Sequence, residues 1–326
     1  MNEENKMKLK MLSAAVLAAL FGMLCASCGK AKDADVVTIG VSIPSADHGW
    51  TGGIVWWAEQ AKKEWEAKDS KVKIILSTAK DAAEQVDKIE NLLVRNVDAL
   101  VVLPQEPGPL TNICESAVKR GKYLVVVDRG LTKDVQNLLV AGDNAGFGKA
   151  AADAIAKELK GKGNILVMEG IPCAVNSDRV NAFKAEMKKY PEIRIMESQS
   201  AYWDTEKGLK LMENYLQKYP KIDAVWVGDD DVLVGALKAY QESKRKDIRL
   251  IVGGGGSKLV IKKILDGDPV IPLTVTYPPK MIAEGVKYAV AAAKKQPLTQ
   301  EKKVTIPSEI VNRENAKQNY FPDSAY

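Results

Sequence analysis

The chain has 326 residues, 46% apolar and 27% charged, which are ordinary proportions for a folded, water-facing protein of about two domains. Its 47 basic and 42 acidic residues are spread along the chain and leave a net charge of +5. No basic block interleaved with aromatics is present, which argues against nucleic acid as a partner.

In chain order, Lys6, Lys8 and Lys10 precede an apolar run, "MLSAAVLAALFGMLCASCGK", that suits a signal-peptide core better than a membrane span. Ala26 and Ser27 then stand directly before Cys28, as in a lipoprotein signal whose cysteine becomes the lipidated first residue. Cys25 stands where such signals usually carry leucine, and a plain secretory signal is the alternative. Residues 1–35 are therefore set aside as a signal peptide and anchor linker, starting at Met1 or Met7. The other two cysteines, Cys114 and Cys173, have no CxxC spacing and no histidine cluster, so a zinc site is not expected.

From residue 36 short β-branched runs alternate with helical stretches. The runs "VVTIGVSIP", "KVKIILST", "DALVVLP", "YLVVVDR", "NILVMEG", "IRIMESQ", "DAVWVGD" and "IRLIVGG" read as strands buried on both faces. Between the first two, Ile54, Ala58, Ala61 and Trp65 form one helical stripe, and Trp56 and Trp57 read as core. Val86, Ile89 and Leu93 form the next stripe, with Asp81 placed to cap it. Repeated β-α units imply parallel sheets with helices on both faces, and about a dozen strands predict two similar lobes.

Ligands of such sheets bind beyond the carboxyl ends of the strands. Those ends carry "SADHGW", "PQEP", "DRG", "GDN", "GIPCAVNSDR", "AYWD", "GDDD", "GGGGS" and "TYPP". They bring Asp47, His48, Trp50, Asp128, Arg129, Asn176, Trp203 and Asp229 to one rim. His48 is the single histidine, with no second histidine or nucleophile to make it a catalytic base; it reads as pocket lining or as a helix cap. "GDDD" could suggest a magnesium site, but is better read as Asp229 facing the pocket while Asp230 or Asp231 caps the next helix. "GGGGSK" lacks the spacing of a phosphate loop. Arg179 reads as structural. No cofactor and no metal is expected.

At these residues the chain resembles the periplasmic sugar-binding proteins of the ribose and galactose type, from about Thr38 to about Val304. The ordered series "VVVDRG", "AGDNAGFGKAAADAIA", "NSDRVNAF", "DTEKGLKLMENYL", "AVWVGDDDVLVGALKAY" and "LTVTYPPKMIAEG" carries the likeness. The resemblance implies an α/β fold of two similar, doubly wound parallel-sheet lobes joined by a three-crossover hinge. The N-terminal lobe would take residues 36–142 and 277–305, and the C-terminal lobe 143–276 and 306–326. It further implies a monomeric, lipid-anchored protein outside the cytoplasm that closes on a sugar or polyol and hands it to an ABC permease. Ligand contacts would be Asp47 or His48, Trp50, Thr51, Asp128 and Arg129 from the first lobe. The second would supply Asn176 or Ser177, Trp203, Asp229, Gly255 and Thr276.

The chemistry fits independently, since indoles stack on the C–H faces of a sugar while carboxylates and guanidinium groups take its hydroxyls. Gly255 stands where these binders often carry aspartate, Thr276 where glutamine or asparagine is usual, and Ser177 where arginine is common. Those departures predict a guest other than ribose, larger near Gly255. Rival readings are a sensor feeding a chemoreceptor or histidine kinase, a lobe-sharing transcription repressor, a carboxylate-cluster hydrolase, and a binder of a furanone or nucleoside. The secretion signal argues against the repressor, and the lack of a catalytic triad argues against the hydrolase.

Overall fold

The computed structural model describes residues 35–46, 48–299 and 301–326. The expected signal segment before residue 35, with Cys28, and the candidate contact Asp47 lie outside the described residues. Within Val37–Tyr326, one packed unit, strands and helices alternate almost without exception.

The first sheet holds β1 (Val37–Pro44), β2 (Val72–Ala79), β3 (Ala99–Val102), β4 (Tyr123–Val127), β5 (Leu138–Gly142) and β11 (Lys303–Ile306). Its order is β11-β5-β4-β3-β1-β2, every pair parallel. The second holds β6 (Lys162–Glu169), β7 (Glu192–Ser200), β8 (Ala224–Val227), β9 (Leu250–Gly255), β10 (Leu273–Thr276) and β12 (Ile310–Asn312). Its order, β12-β10-β9-β8-β6-β7, repeats the first with each of the first five strand numbers raised by five. The sheets differ at one edge, where β12 runs antiparallel to β10. The chain passes between sheets three times: after Gly142, after Thr276, and between Ile306 and Ile310.

The eight apolar runs form strands as expected, and the central ones, β3, β4, β8 and β9, are buried almost throughout. The edge strands β2 and β7 alternate or half-expose their residues, because helices cover only part of a sheet's margin. Strands β5, β10, β11 and β12 are three to five residues long and carry no comparable run.

The helices are α1 (Gly49–Lys68), α2 (Ala82–Val94), α3 (Pro107–Lys119), α4 (Asn144–Glu158), α5 (Ala174–Met187), α6 (Thr205–Lys218), α7 (Asp230–Ser243), α8 (Lys258–Asp266), α9 (Met281–Ala293) and α10 (Ala316–Asn319). In α1, Ile54, Trp57, Ala58 and Ala61 are buried, while Trp56 and Trp65 are half-buried against the same core. Helix starts are set by side-chain caps: Asp81, Asp143, Asp204, Asp229 and Ser257 each accept a first-turn backbone N–H. Each such cap stabilises its helix by about 1 kcal/mol and fixes where the strand–helix turn ends. Those turns are what the two sheets present to each other.

Candidate functional site

The carboxyl ends of the strands surround a cavity of about 860 Å³, within the size range of small-molecule sites. The first sheet contributes His48 and Trp50 after β1, Gln105 after β3, and Asp128 and Arg129 after β4. From the second come Cys173 and Arg179 after β6, Trp203 after β7, Asp229 after β8, and Gly255 at the end of β9. Tyr277, on the crossover after β10, closes the hinge end.

Asp128 is buried and holds a left-handed backbone, φ 62°, which is uncommon for a non-glycine residue and turns its carboxylate into the cleft. Its Oδ1 accepts the Tyr277 hydroxyl at 2.5 Å, and its Oδ2 lies 3.6 Å from Arg129 Nε. Arg129 Nη1 donates to the Gln105 carbonyl at 2.9 Å, which ties the β3 and β4 turns together.

Arg179 sits with its guanidinium carbon 4.3 Å from the Phe147 ring and 4.3 Å from the Tyr277 ring. Its Nε donates to Asn144 Oδ1 at 2.9 Å and its Nη1 to the Gly228 carbonyl at 3.1 Å. The Trp203 ring is 5.9 Å away. Tyr202 and Trp203 are consecutive left-handed residues, φ 58° and 56°, a strained pair that directs the indole over Gly170. A Cβ at Gly170 would fall 1.9 Å from Trp203 Nε1, so glycine is required there. That indole N–H and Gln105 Oε1 are both buried with no hydrogen-bond partner among the described residues. Both belong to residues that line the cleft, so a guest with hydroxyls has a donor and an acceptor to meet.

Three consecutive aspartates do three separate tasks. Asp229 lines the cleft, and its Oδ1 caps α7 by accepting the Asp231 N–H at 2.8 Å. Burial first, then Asp231 and Asp230, push its acid strength well toward the protonated form, with Arg179 opposing. Asp230 turns inward to Gly256, Ser257 and Thr274. Asp231 accepts the N–H of Gly49, at the start of α1, at 3.2 Å. The expected division between pocket and cap is thus combined in Asp229. Among the described residues no group of three His, Cys, Asp or Glu is placed to hold a metal ion.

His48, Trp50, Asp128, Arg129, Trp203, Asp229 and Gly255 line the cleft where the strand-end reading put them. Four other candidates lie elsewhere. Thr51 Oγ1 folds back on His48, donating to its carbonyl at 2.9 Å and accepting its N–H at 3.2 Å, so it closes the first turn of α1. Asn176 is buried and accepts the Gly170 N–H at 2.7 Å, shaping the turn under Trp203. Ser177 is exposed on α5, two residues before the cleft-lining Arg179. Thr276 accepts the Glu309 N–H at 2.9 Å and borders a smaller cavity of about 260 Å³ behind the hinge.

Gly255 lines the cleft, but the space its own side chain would take is filled. A Cβ at Gly255 (φ 120°) would lie 1.9 Å from the Tyr326 hydroxyl, which comes from a distant segment of the chain. Tyr277, Arg179, Asn144 and Gln105 line the cleft without having been selected. All four belong to the strand-end segments already quoted; the segment was legible but not which side chain turns inward. Cys114 and Cys173 are both free; Cys114 is buried, its thiol pushed up to about 12 by desolvation, and Cys173 is exposed.

Two pseudo-repeated α/β sheets with their strand ends facing one polar, aromatic cleft define a hinged small-molecule binding protein. The chain belongs to the periplasmic binding protein family, whose "Periplasmic binding protein domain" matches residues 39–297. It is 32% identical over 250 residues to the ribose import binding protein RbsB of Bacillus subtilis, covering 76% of this chain and 78% of that protein. It is 26% identical to a xylitol-binding protein of Mycolicibacterium smegmatis, over 79% of this chain and 73% of that protein. Among solved structures, an ABC transporter solute-binding protein of Bacillus halodurans with bound myo-inositol superposes with a TM-score of 0.75 at 27% identity. That match covers 88% of this chain and 98% of that one. Among the described residues no helix is long and apolar enough to cross a membrane.

Proposed function

We propose that this chain is an extracytoplasmic solute-binding protein that traps a sugar or polyol between two lobes and delivers it to an ABC importer. The observation that carries the reading is the convergence on one cavity of Trp50, Asp128 and Arg129 from the first sheet with Arg179, Trp203 and Asp229 from the second. A hydroxylated ring satisfies indole faces, carboxylates and guanidinium groups together, and a guest touching both sheets is worth most when the cleft is closed. In this reading the lobes divide at residues 142/143, at 276/277 and after Ile306 rather than at 305/306, since Ile306 pairs with Gly142 in the first sheet, so that α4 moves with the second sheet and α9 with the first. Cys28 is the lipid-anchor site, the protein works as a monomer, and no turnover is involved.

Calorimetry of the purified protein against D-ribose, xylitol, myo-inositol, D-fructose and D-galactose tests the reading. At least one is expected to bind with a Kd in the micromolar range or below; failure of all five overturns it. Trp203→Ala is expected to weaken that binding roughly 30-fold, about 2 kcal/mol for a lost stacking surface. Binding should also change the tryptophan emission, because Trp50 and Trp203 both border the guest, and an unchanged spectrum argues against their role.

Asp229→Asn gives a finer result. The amide oxygen can still cap α7 through the Asp231 N–H, so melting should change little. The carboxyl contact to a sugar hydroxyl is replaced by the weaker contact of an amide, and affinity is expected to fall about tenfold. Equal affinity for wild type and variant would remove Asp229 from the contact set.

A further inference from the structure

Tyr277 was not among the side chains expected in the cleft, yet it contacts several of the residues that line it. It follows β10 on the crossover from the second sheet back to the first. Its ring covers Gly142, the end of the opposite crossover, where a Cβ would come within 2.1 Å of Tyr277 Cε2. Its carbonyl accepts the Trp50 indole N–H at 2.8 Å. Its hydroxyl donates to Asp128 Oδ1 at 2.5 Å, and Asn144 Nδ2 donates to that hydroxyl at 3.4 Å. Arg179 packs on its face at 4.3 Å.

We propose that Tyr277 is the specificity-determining residue of the cleft. It donates to one oxygen of Asp128 and backs the Arg179 guanidinium, and so fixes which acceptor and donor sites these two groups turn toward a guest. This deepens the sugar-binding reading and rests on it. A carboxylate has about four lone-pair sites over its two oxygens; the Tyr277 hydroxyl takes one on Oδ1 and so leaves Asp128 fewer sites for two neighbouring hydroxyls at once. Arg179, its Nε held by Asn144 and one Nη1 hydrogen by Gly228, keeps its second Nη1 hydrogen and Nη2 for a guest. The phenol ring also fills the hinge end of the cavity, so the guest is held toward Trp203 and the cleft mouth. Burial and the adjacent Asp128 carboxylate raise the Tyr277 hydroxyl far above its ordinary range, so it remains a donor at any pH the protein meets. The departures at Thr276 and Gly255 are consistent with this: polarity absent from those positions is replaced by a tyrosine that disciplines the acids and bases already present.

Tyr277→Phe tests the idea, because the ring stays on Gly142 and the fold is not at stake. Dissociation constants for D-ribose, 2-deoxy-D-ribose, xylitol and myo-inositol are measured by calorimetry for wild type and variant. With that site on Asp128 Oδ1 released, a guest that carries the 2-hydroxyl gains a further bond to the carboxylate. The ratio of affinities for D-ribose over 2-deoxy-D-ribose is expected to rise at least tenfold. A common factor across all guests means Tyr277 is only structural and overturns the proposal, as does no change within twofold. If the wild type binds none of the four or the other sugars tested above, it is the sugar reading that falls, and this assignment with it.

Discussion

Asp230→Ala is expected to lower the stability of the folded chain by at least about 3 kcal/mol, read as a shift of the urea unfolding midpoint, because it orphans several buried donors at once. Asp230 is fully buried, and its Oδ2 accepts the backbone N–H groups of Gly256 at 3.0 Å and Ser257 at 2.7 Å. Its Oδ1 accepts the Thr274 hydroxyl at 2.9 Å. One side chain therefore ties the start of α7 to the β9–α8 turn and to β10. Alanine leaves two N–H groups and a hydroxyl without partners and opens a gap beside Gly253. Against a total stability of roughly 5–15 kcal/mol, that is a large fraction.

The same carboxyl gives a pH signature of definite sign. Desolvation raises it to about 6 in spite of the three bonds that favour its charged form. In the unfolded chain it titrates at about 3.9. Between those values the folded chain holds the extra proton, so raising the pH through this window favours the unfolded state. Stability is expected to fall from about pH 4 to pH 6 through Asp230, with Asp229 and Asp231 acting in the same direction. Asp230→Asn should flatten that slope; an unchanged slope means the carboxyl titrates normally.

The parts of the fold legible in the sequence were those set by local pattern. Fully buried strands such as β3 (ALVV) and β8 (AVWV) are apolar at every position, and Asp81 marks the start of α2 by residue type alone. The same rules placed the rim of the cleft, since a parallel sheet turns its chemistry to the strand ends. What they could not give is orientation within a rim segment. Thr276 and Tyr277 are neighbours, and a crossover, unlike a strand, has no period to say which one faces inward. Asn176, Ser177 and Arg179 share one helix turn, and the choice among them depends on Phe147 and Tyr277, which stack on the arginine from elsewhere in the chain. The filling of space at Gly255 was illegible for a plainer reason: the tyrosine that fills it is 71 positions away in sequence, and no local pattern joins them.

Tyr326→Ala is expected to weaken every guest at least tenfold by a common factor. The ring is 6% exposed and wedged between elements of both sheets. On one side are Gly49 and Gly53 of α1, where added Cβ atoms would come within 2.9 Å of it; on the other is Gly255 of β9. Lys258 holds the approaching segment by donating to the Pro322 and Ser324 carbonyls, and Phe321 packs edge-on against Trp57 at 5.1 Å. Removing a buried aromatic ring costs about 3–5 kcal/mol in a well-packed setting. Here the lost contacts span α1 and β9, so part of that cost falls on the closed arrangement rather than on either lobe. If closure loses even about 1.4 kcal/mol, the closed fraction drops tenfold where it was the minor form, and apparent affinity drops with it, whatever the guest. Calorimetry against the same guests reads the common factor, and affinities that shift unequally or not at all overturn it. The contrast with Tyr277→Phe is the sharper test of the whole arrangement. One tyrosine sets how readily the lobes meet and moves all affinities together, while the other sets what they meet around and moves their ratios.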